Sequence, residues 1–373
     1  MTTYRFLQPL DVLYIRGNKL FGDPGSYGES LIPPWPSVVA GALRSRMLAD
    51  DGIDLAEFAA GRTPHPTLGT PERPGSFAVS AFHLARRSPN GRIEGRFAPP
   101  ADLVLTRSDD DNLTVERLTP CLIAPGIHSS APLAKLPVLA EPTRRKPVSG
   151  YWLTQRGWDR YLAGQSIEQN DFESTADLWK LDTRVGVGLD PELRRADDGK
   201  LFTAQAVAMS SEMGFLVGVE GAVPSTEGTL RLGGDGRAAA IRSADYSSPT
   251  PDLGALVNAR RCRLVLTTPG LFPAGWLPPG AQANGRWQLG NVSGTLVCAA
   301  VPRAEVISGW DLAQWQPKPA QRVAATGSVY WLEDLHATAD ALRKLTVEGL
   351  WDETTDNRQR RAEGFNRFTF AVY

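Results

Sequence analysis

The chain opens TYRFLQPLDVLYIR (residues 3–16) and, after the turn-rich stretch GNKLFGDPGSYGES (residues 17–30), continues PPWPSVVAGALRSRMLADDG (residues 33–52). The first segment alternates apolar and polar residues as a half-buried strand does, and resumes after a proline. In the last, Pro36 and Ser37 stand where a helix begins, Val39, Ala42, Leu43 and Met47 share one face, and Gly52 closes it. The first unit therefore reads strand, loop, helix.

Working outward, PGSFAVSAFHLARR (residues 74–87) and ADLVLTRSDDDNLTVERL (residues 101–118) read as strands, the second as a hairpin closed at its Asp-Asp-Asp-Asn turn. Residues 120–200 read as loops around one short helix, LTQRGWDRYLAGQ (residues 153–165), a long irregular region of the kind that carries function. Strand patterning returns with LFTAQAVAMSSEMGFLVGVEGA (residues 201–222) and runs through RCRLVLTTPG (residues 261–270), GTLVCAAVPRAEVISGW (residues 294–310) and GSVYWLE (residues 327–333). A second helix fits TADALRKLTVEGLW (residues 338–351), with Leu342, Leu345 and Leu350 near one face, and Phe368, Phe370 and Val372 point one way in the closing FNRFTFAVY. Each half thus pairs antiparallel-type strands with a helix. The expected class is α+β, two ferredoxin-like (RRM-like) domains with long inserted loops, divided into residues 1–212 and 213–373.

Composition narrows the function classes. With 42% hydrophobic and 22% charged residues, the 373-residue chain reads as an ordinary globular protein of two domains. No apolar run approaches the roughly 18 residues of a membrane span, and the start has no basic region followed by an apolar one, so a cytoplasmic protein without a membrane partner is expected. Cys121, Cys262 and Cys298 are far apart and read as small buried hydrophobes. The histidines, His65, His83, His128 and His336, lie in separate segments without metal-ligand spacing, so neither metal nor cofactor is expected. Net charge is −1, which lacks the bulk basicity of a non-specific DNA binder and leaves the matter to local patches. Arg outnumbers Lys 33 to 7, and its planar fork suits phosphate, although a GC-rich genome would give the same bias.

Three stretches bear on chemistry. GTLRLGGDGRAAAI (residues 228–241) lacks the Gly-Lys-Ser/Thr ending of a phosphate loop and is no dinucleotide fingerprint. It reads either as a tight hairpin with Asp-Gly at positive φ, or as an anion-binding nest helped by Arg237. TRRKP (residues 143–147) precedes Tyr151 and Trp152, the mixture of cations and flat rings that single-stranded RNA uses, or else a plain exposed basic loop. His128, in APGIHSSAP (residues 124–132), is the one candidate general base. LRRADDGK (residues 193–200) and LWDETTDNRQRRAEG (residues 350–364) read as solvated turns and loops.

Taken in order, PLDVLYIRGNKLFG, PPWPSVVAGALRSRM, PVSGYWLTQRGWDRYLAG, TRVGVGLDPELRRADDGKLF, GTLRLGGDGR, TTPGLFPAGWLP, TGSVYWLE and AEGFNRFTF resemble the third subunit of the Cmr complex, the type III-B CRISPR effector, within the RAMP superfamily. The resemblance implies two RAMP ferredoxin-like domains and a subunit that binds without catalysing. Such a subunit caps the repeat-derived 5′ handle of the guide crRNA and joins the large polymerase-like subunit to the backbone RAMP subunits. Carried over residue by residue, it places Arg16, Lys19 and Arg44 near RNA, puts Arg144, Arg145, Lys146 and Arg184 on guide-facing or partner-facing loops, and makes Gly233, Gly234, Gly236 and Arg237 a close-approach loop. At the end of the chain Asn366 stands where RAMP domains commonly have glycine, which puts an RNA role for that loop in doubt. Two other classes compete: a repeat-cleaving endoribonuclease centred on His128, and a scaffold that touches protein alone.

Overall fold

The computed structural model describes residues 2–17, 27–108, 110–129, 131–141, 145–190, 192–311, 316–352 and 357–373. Two large antiparallel sheets organise them. The first has eight strands, in spatial order Phe172–Ser174, Tyr151–Thr154, Ile93–Phe97, Ala78–Arg87, Met213–Glu220, Thr3–Pro9, Ala238–Ser243 and Thr229–Arg231. The second has five, in order Arg286–Leu289, Val292–Ala300, Val329–His336, Cys262–Leu266 and Phe368–Ala371.

The helices sit where the patterning places them. Pro36 opens the helix Pro36–Asp50, its fixed φ already helical, and Gly52 ends the turn that follows at φ +64°. Val39, Leu43 and Met47 pack with Leu7, Val79 and Phe215 of the first sheet. The helix Ala339–Glu348, capped by the Thr338 hydroxyl accepting from Ala341 N, lays Leu342 and Leu345 against Leu264, Leu332 and Phe370 of the second. These side chains bury period-3.6 stripes on period-2 sheet faces, which is how each layer is held.

The central strands of the two sheets repeat one order. Numbered along the chain, Thr3–Pro9, Ala78–Arg87, Met213–Glu220 and Ala238–Ser243 lie 2-3-1-4 across the first sheet. Cys262–Leu266, Val292–Ala300, Val329–His336 and Phe368–Ala371 lie 2-3-1-4 across the second. The sheets change over between Ser243 and Cys262, not near residue 212: Met213–Glu220 pairs with both Thr3–Pro9 and Ala78–Arg87 and cannot be parted from them.

A third core joins the layers. Phe97 and Trp158 stack at 4.6 Å and 7°, Trp158 and Tyr161 at 5.7 Å and 15°, and Val265, Val297 and Trp331 of the second sheet close on them. His83 lies 4.7 Å from the Phe97 ring, and burial pushes its pKa from 6.5 down to about 4. The unfolded chain takes up this proton first as the pH falls. Stability due to neutral His83 is therefore present above pH 6.5 and lost as the pH falls from 6.5 toward 4. Chemical denaturation at pH 7.5 and pH 4.5 is expected to show a loss of roughly 2 kcal/mol that His83→Phe removes.

Three local expectations are corrected. Within residues 120–200 the chain forms a long hairpin, Trp179–Leu189 with Ala196–Met209, whose two faces are largely exposed and therefore carry no apolar alternation to read. Cys121 is exposed, while Cys262 and Cys298 are buried. Arg358–Ala362, expected as solvated loop, is a helical turn that buries Arg360 against Phe365 and pairs it with Glu363 at 3.0 Å.

Candidate nucleic-acid interface around Tyr14

Segment 11–16 follows the first strand and is pinned on both sides. Leu13 exchanges backbone hydrogen bonds with Val207 of the long hairpin at 2.9 and 2.8 Å, and Leu31 N donates to Ile15 O at 2.7 Å. Leu13 and Ile15 are buried, so alternation turns Tyr14 and Arg16 to the other side.

The glycine-rich stretch closes on Tyr14. Gly234 N donates to Tyr14 O at 2.7 Å, and Leu232 N to Arg237 O at 2.9 Å. Asp235 and Gly236, at φ +58° and +66°, are the two central residues of a type I′ turn, so the hairpin reading describes its backbone. Glycine is required at 233: with φ +82°, an added Cβ would lie 2.7 Å from Tyr14 O. Arg237 sits over the Tyr14 ring at 5.4 Å, ion-pairs with Asp11, and buries an Nε that has no hydrogen-bond partner among the described residues. From the hairpin, Arg184 reaches Asp182 at 2.8 Å; that carboxylate and then Tyr14 raise the arginine's pKa. Arg16 is exposed on the same segment and bridges Ser30.

Arg184 and Arg237 thus meet the Tyr14 side chain, Gly233 and Gly234 close on its backbone carbonyl, Gly236 completes their turn, and Arg16 is exposed two residues along the same segment. Arg44 does not join them. It lies over the Phe77 ring at 5.2 Å, and burial lowers its pKa against a smaller opposing effect of Glu363. Arg145 pairs with Glu141 at 2.8 Å, and Lys146 is exposed; both belong to the segment that reaches strand Leu103–Arg107 through Val148 N to Leu105 O at 2.8 Å. Lys19 and Arg144 lie outside the described residues.

Sequence reading missed Tyr14 and the pairing of Trp179–Leu189 with Ala196–Met209. The signal for Tyr14 was its place in the alternation Leu13, Tyr14, Ile15, Arg16. In the hairpin, Gly186 leaves room for the Phe202 ring, which an added Cβ would meet at 2.4 Å. The hairpin sequence carries five basic residues, Lys180, Arg184, Arg194, Arg195 and Lys200, and five acidic ones, Asp182, Asp190, Glu192, Asp197 and Asp198. Any attraction for an anion must therefore come from single forks and not from bulk charge. The opposite side of the hairpin exposes Val185, Val187, Leu189 and Leu201.

The doubt over the chain's closing loop resolves as structure. Asn366, at φ +59° and fully buried, accepts from Leu271 N at 2.6 Å and donates to Leu350 O at 2.7 Å and Leu271 O at 3.2 Å. Its amide is wholly engaged within the fold. His128 is exposed, and among the described residues no group of three His, Cys, Asp or Glu side chains could hold a metal ion.

Comparisons with known proteins agree with this architecture. A solved chain from "Cryo-EM structure of the Type III-B Cmr-beta bound to cognate target RNA and AMPPnP, state 1" is similar with a TM-score of 0.50 and 15% identity, over 96% of this chain and 93% of that one. A chain from "Cryo-EM structure of the Type III-B Cmr-beta bound to cognate target RNA" is similar at 14% identity and a TM-score of 0.49, over 98% of this chain and 96% of that one. None of the curated proteins matches. The fold is therefore a sheet-rich, mixed α/β one, similar to that of a chain in the Type III-B Cmr-beta structure. The family model described as CRISPR-associated protein (Cas_Cmr3) matches residues 5–371, and the chain belongs to that family. No helix among the described residues is long and apolar enough to cross a membrane.

Proposed function

We propose that this chain is the RNA-binding, non-catalytic subunit of a cytoplasmic type III-B CRISPR ribonucleoprotein that caps the 5′ handle of the crRNA. The observation that carries the reading is the meeting of Arg184, Arg237 and the Gly233–Gly236 turn at Tyr14, with Arg16 exposed two residues further on. Forks bind phosphates, a turn built on glycines lets a backbone approach, and a tyrosine offers a face to a base. The repeated 2-3-1-4 strand order supports two ferredoxin-like RAMP domains. The apolar side of the hairpin, with Val185 68% and Leu189 65% exposed, supports contact with the large polymerase-like or backbone subunits as well. Because a handle is common to all guides, a protein that reads it does not limit the choice of target.

Ultraviolet crosslinking of the complex from its native host, followed by sequencing of the attached RNA, tests the reading. Crosslinks should concentrate on repeat-derived 5′ ends at peptides holding Tyr14. Arg184→Glu, fully on the surface, should lower handle retention about tenfold and flatten its salt dependence by about one charge. A complex recovered without crosslinks would make the chain a protein scaffold. Cleavage of repeat RNA by the chain alone, abolished by His128→Ala, would make it a nuclease.

A further inference from the structure

Between the two sheets, apart from the Tyr14 interface, lies a partly open cleft of about 210 Å³. One part of its lining is a run of rings: His83, Phe97 and Trp158, with centroid separations of 4.7 and 4.6 Å. The linker Tyr246–Pro251 also borders it, held by Tyr246 Oη donating to Gln155 Oε1 at 3.0 Å and by the Tyr4 and Ser248 hydroxyls at 2.8 Å.

Cations complete the lining. Arg367 is 5% exposed; its Nε donates to Val79 O at 3.2 Å and its Nη1 to Val347 O at 2.6 Å, while Nη2 makes no hydrogen bond to any described residue. No carboxylate among the described residues ion-pairs with it, an arrangement that is costly for a buried guanidinium and that an anion would relieve. Burial lowers its pKa, against a smaller effect of Glu220. Arg343 lines the same cavity, paired with Asp340 and largely exposed. Ser80, also in the lining, buries a hydroxyl without a partner among the described residues. Burial keeps His83 neutral near pH 7, so it can stack as a ring without competing for the anion.

We propose that this cleft binds one nucleotide unit, its base against the His83, Phe97 and Trp158 rings and its phosphate on Arg367 and Arg343. The volume falls below the roughly 300–1,000 Å³ of ordinary small-molecule sites, which restricts the occupant to a single unit. A second cavity of about 230 Å³ shares His83, Phe97 and Trp158 and adds Trp35, Phe82 and Trp152, leaving space beside the rings for a purine. The unit is either a free mononucleotide or one nucleotide turned out of an RNA strand.

Equilibrium dialysis of the full chain with labelled AMP tests the site, with adenosine, inorganic phosphate and an eight-nucleotide RNA as competitors. One equivalent of AMP should bind saturably, with adenosine and phosphate each at least tenfold weaker competitors. Arg343→Ala, at the exposed rim, and His83→Ala should each weaken binding about tenfold, the loss of one charge-assisted hydrogen bond or one stacked ring. Arg184→Glu should leave AMP binding unchanged, separating this cleft from the Tyr14 interface. Competition by RNA that vanishes in His83→Ala assigns the nucleotide to a strand; AMP binding without such competition assigns it to the free pool. Absence of saturable binding by AMP and of any His83-dependent RNA binding, or binding untouched by both cavity variants, would overturn the proposal.

Discussion

Asp102→Ala is expected to destabilise the full chain by about 4 kcal/mol, read as a shift in the urea midpoint. Asp102 is fully buried, accepts from Tyr161 Oη at 2.8 Å, and ion-pairs with Arg263, itself 1% exposed. Arg263 stands on the strand Cys262–Leu266 of the second sheet and lies over the Tyr161 ring at 4.3 Å. Tyr161 lies on the helix Gln155–Leu162, which packs against the first sheet's strand Ile93–Phe97 through Trp158. Removing the carboxylate leaves a buried guanidinium with carbonyl partners only, Val372 O at 2.6 Å and Tyr161 O at 3.3 Å. Burial raises the Tyr161 pKa well above its usual value, so the phenol stays neutral and cannot replace the lost charge. A double variant, Asp102→Leu with Arg263→Met, should recover most of the loss, because it removes both desolvated charges together. A loss below about 1 kcal/mol in Asp102→Ala would show that water reaches the guanidinium and that the network does not hold the layers together.

The second large effect lies at Asn366, where Asn366→Ala should lose about 3 kcal/mol and Asn366→Gly somewhat less. Both variants abandon three buried hydrogen bonds and leave Leu271 N and Leu350 O short of partners. Alanine adds the strain of φ +59°, which glycine avoids, and that difference of roughly 1 kcal/mol separates backbone strain from hydrogen bonding. Thermal unfolding of the three proteins gives both numbers. Equal stability of Asn366→Gly and the parent would mean that the amide is dispensable and reopen the loop to a role outside the fold. Its neighbour Gly364 is fixed independently: at φ +91°, an added Cβ would press on Val79 of the first sheet at 2.9 Å.

Legibility followed burial. The helices Pro36–Asp50 and Ala339–Glu348 and the strand Phe368–Ala371 could be read because each buries one stripe, and a stripe leaves a period in the sequence. Of the hairpin Trp179–Met209 only the end from residue 201 could, because elsewhere both faces lie largely in water and nothing selects alternation. Its registration comes from elsewhere, from Leu13 on Val207 and Tyr27 beside Thr203. Arg44 shows the opposite failure. An arginine on a helix reads as solvated, yet its stem and guanidinium lie on Phe77, a contact between segments far apart in the chain.

By itself the sequence determined the class of elements, the glycine turn at Asp235–Gly236 and, through ordered motifs, the family, since these depend on neighbours within a few residues or on order along the chain. Tertiary structure alone decided which arginines act together. Arg184 and Arg237 are brought to Tyr14 from distant segments, whereas Arg367 is buried between the sheets, and no local pattern distinguishes a guanidinium that meets water from one that meets a buried ring. The reason is physical: propensity and periodicity report the backbone's short-range preferences, while charge desolvation depends on what packs from the far side of the chain.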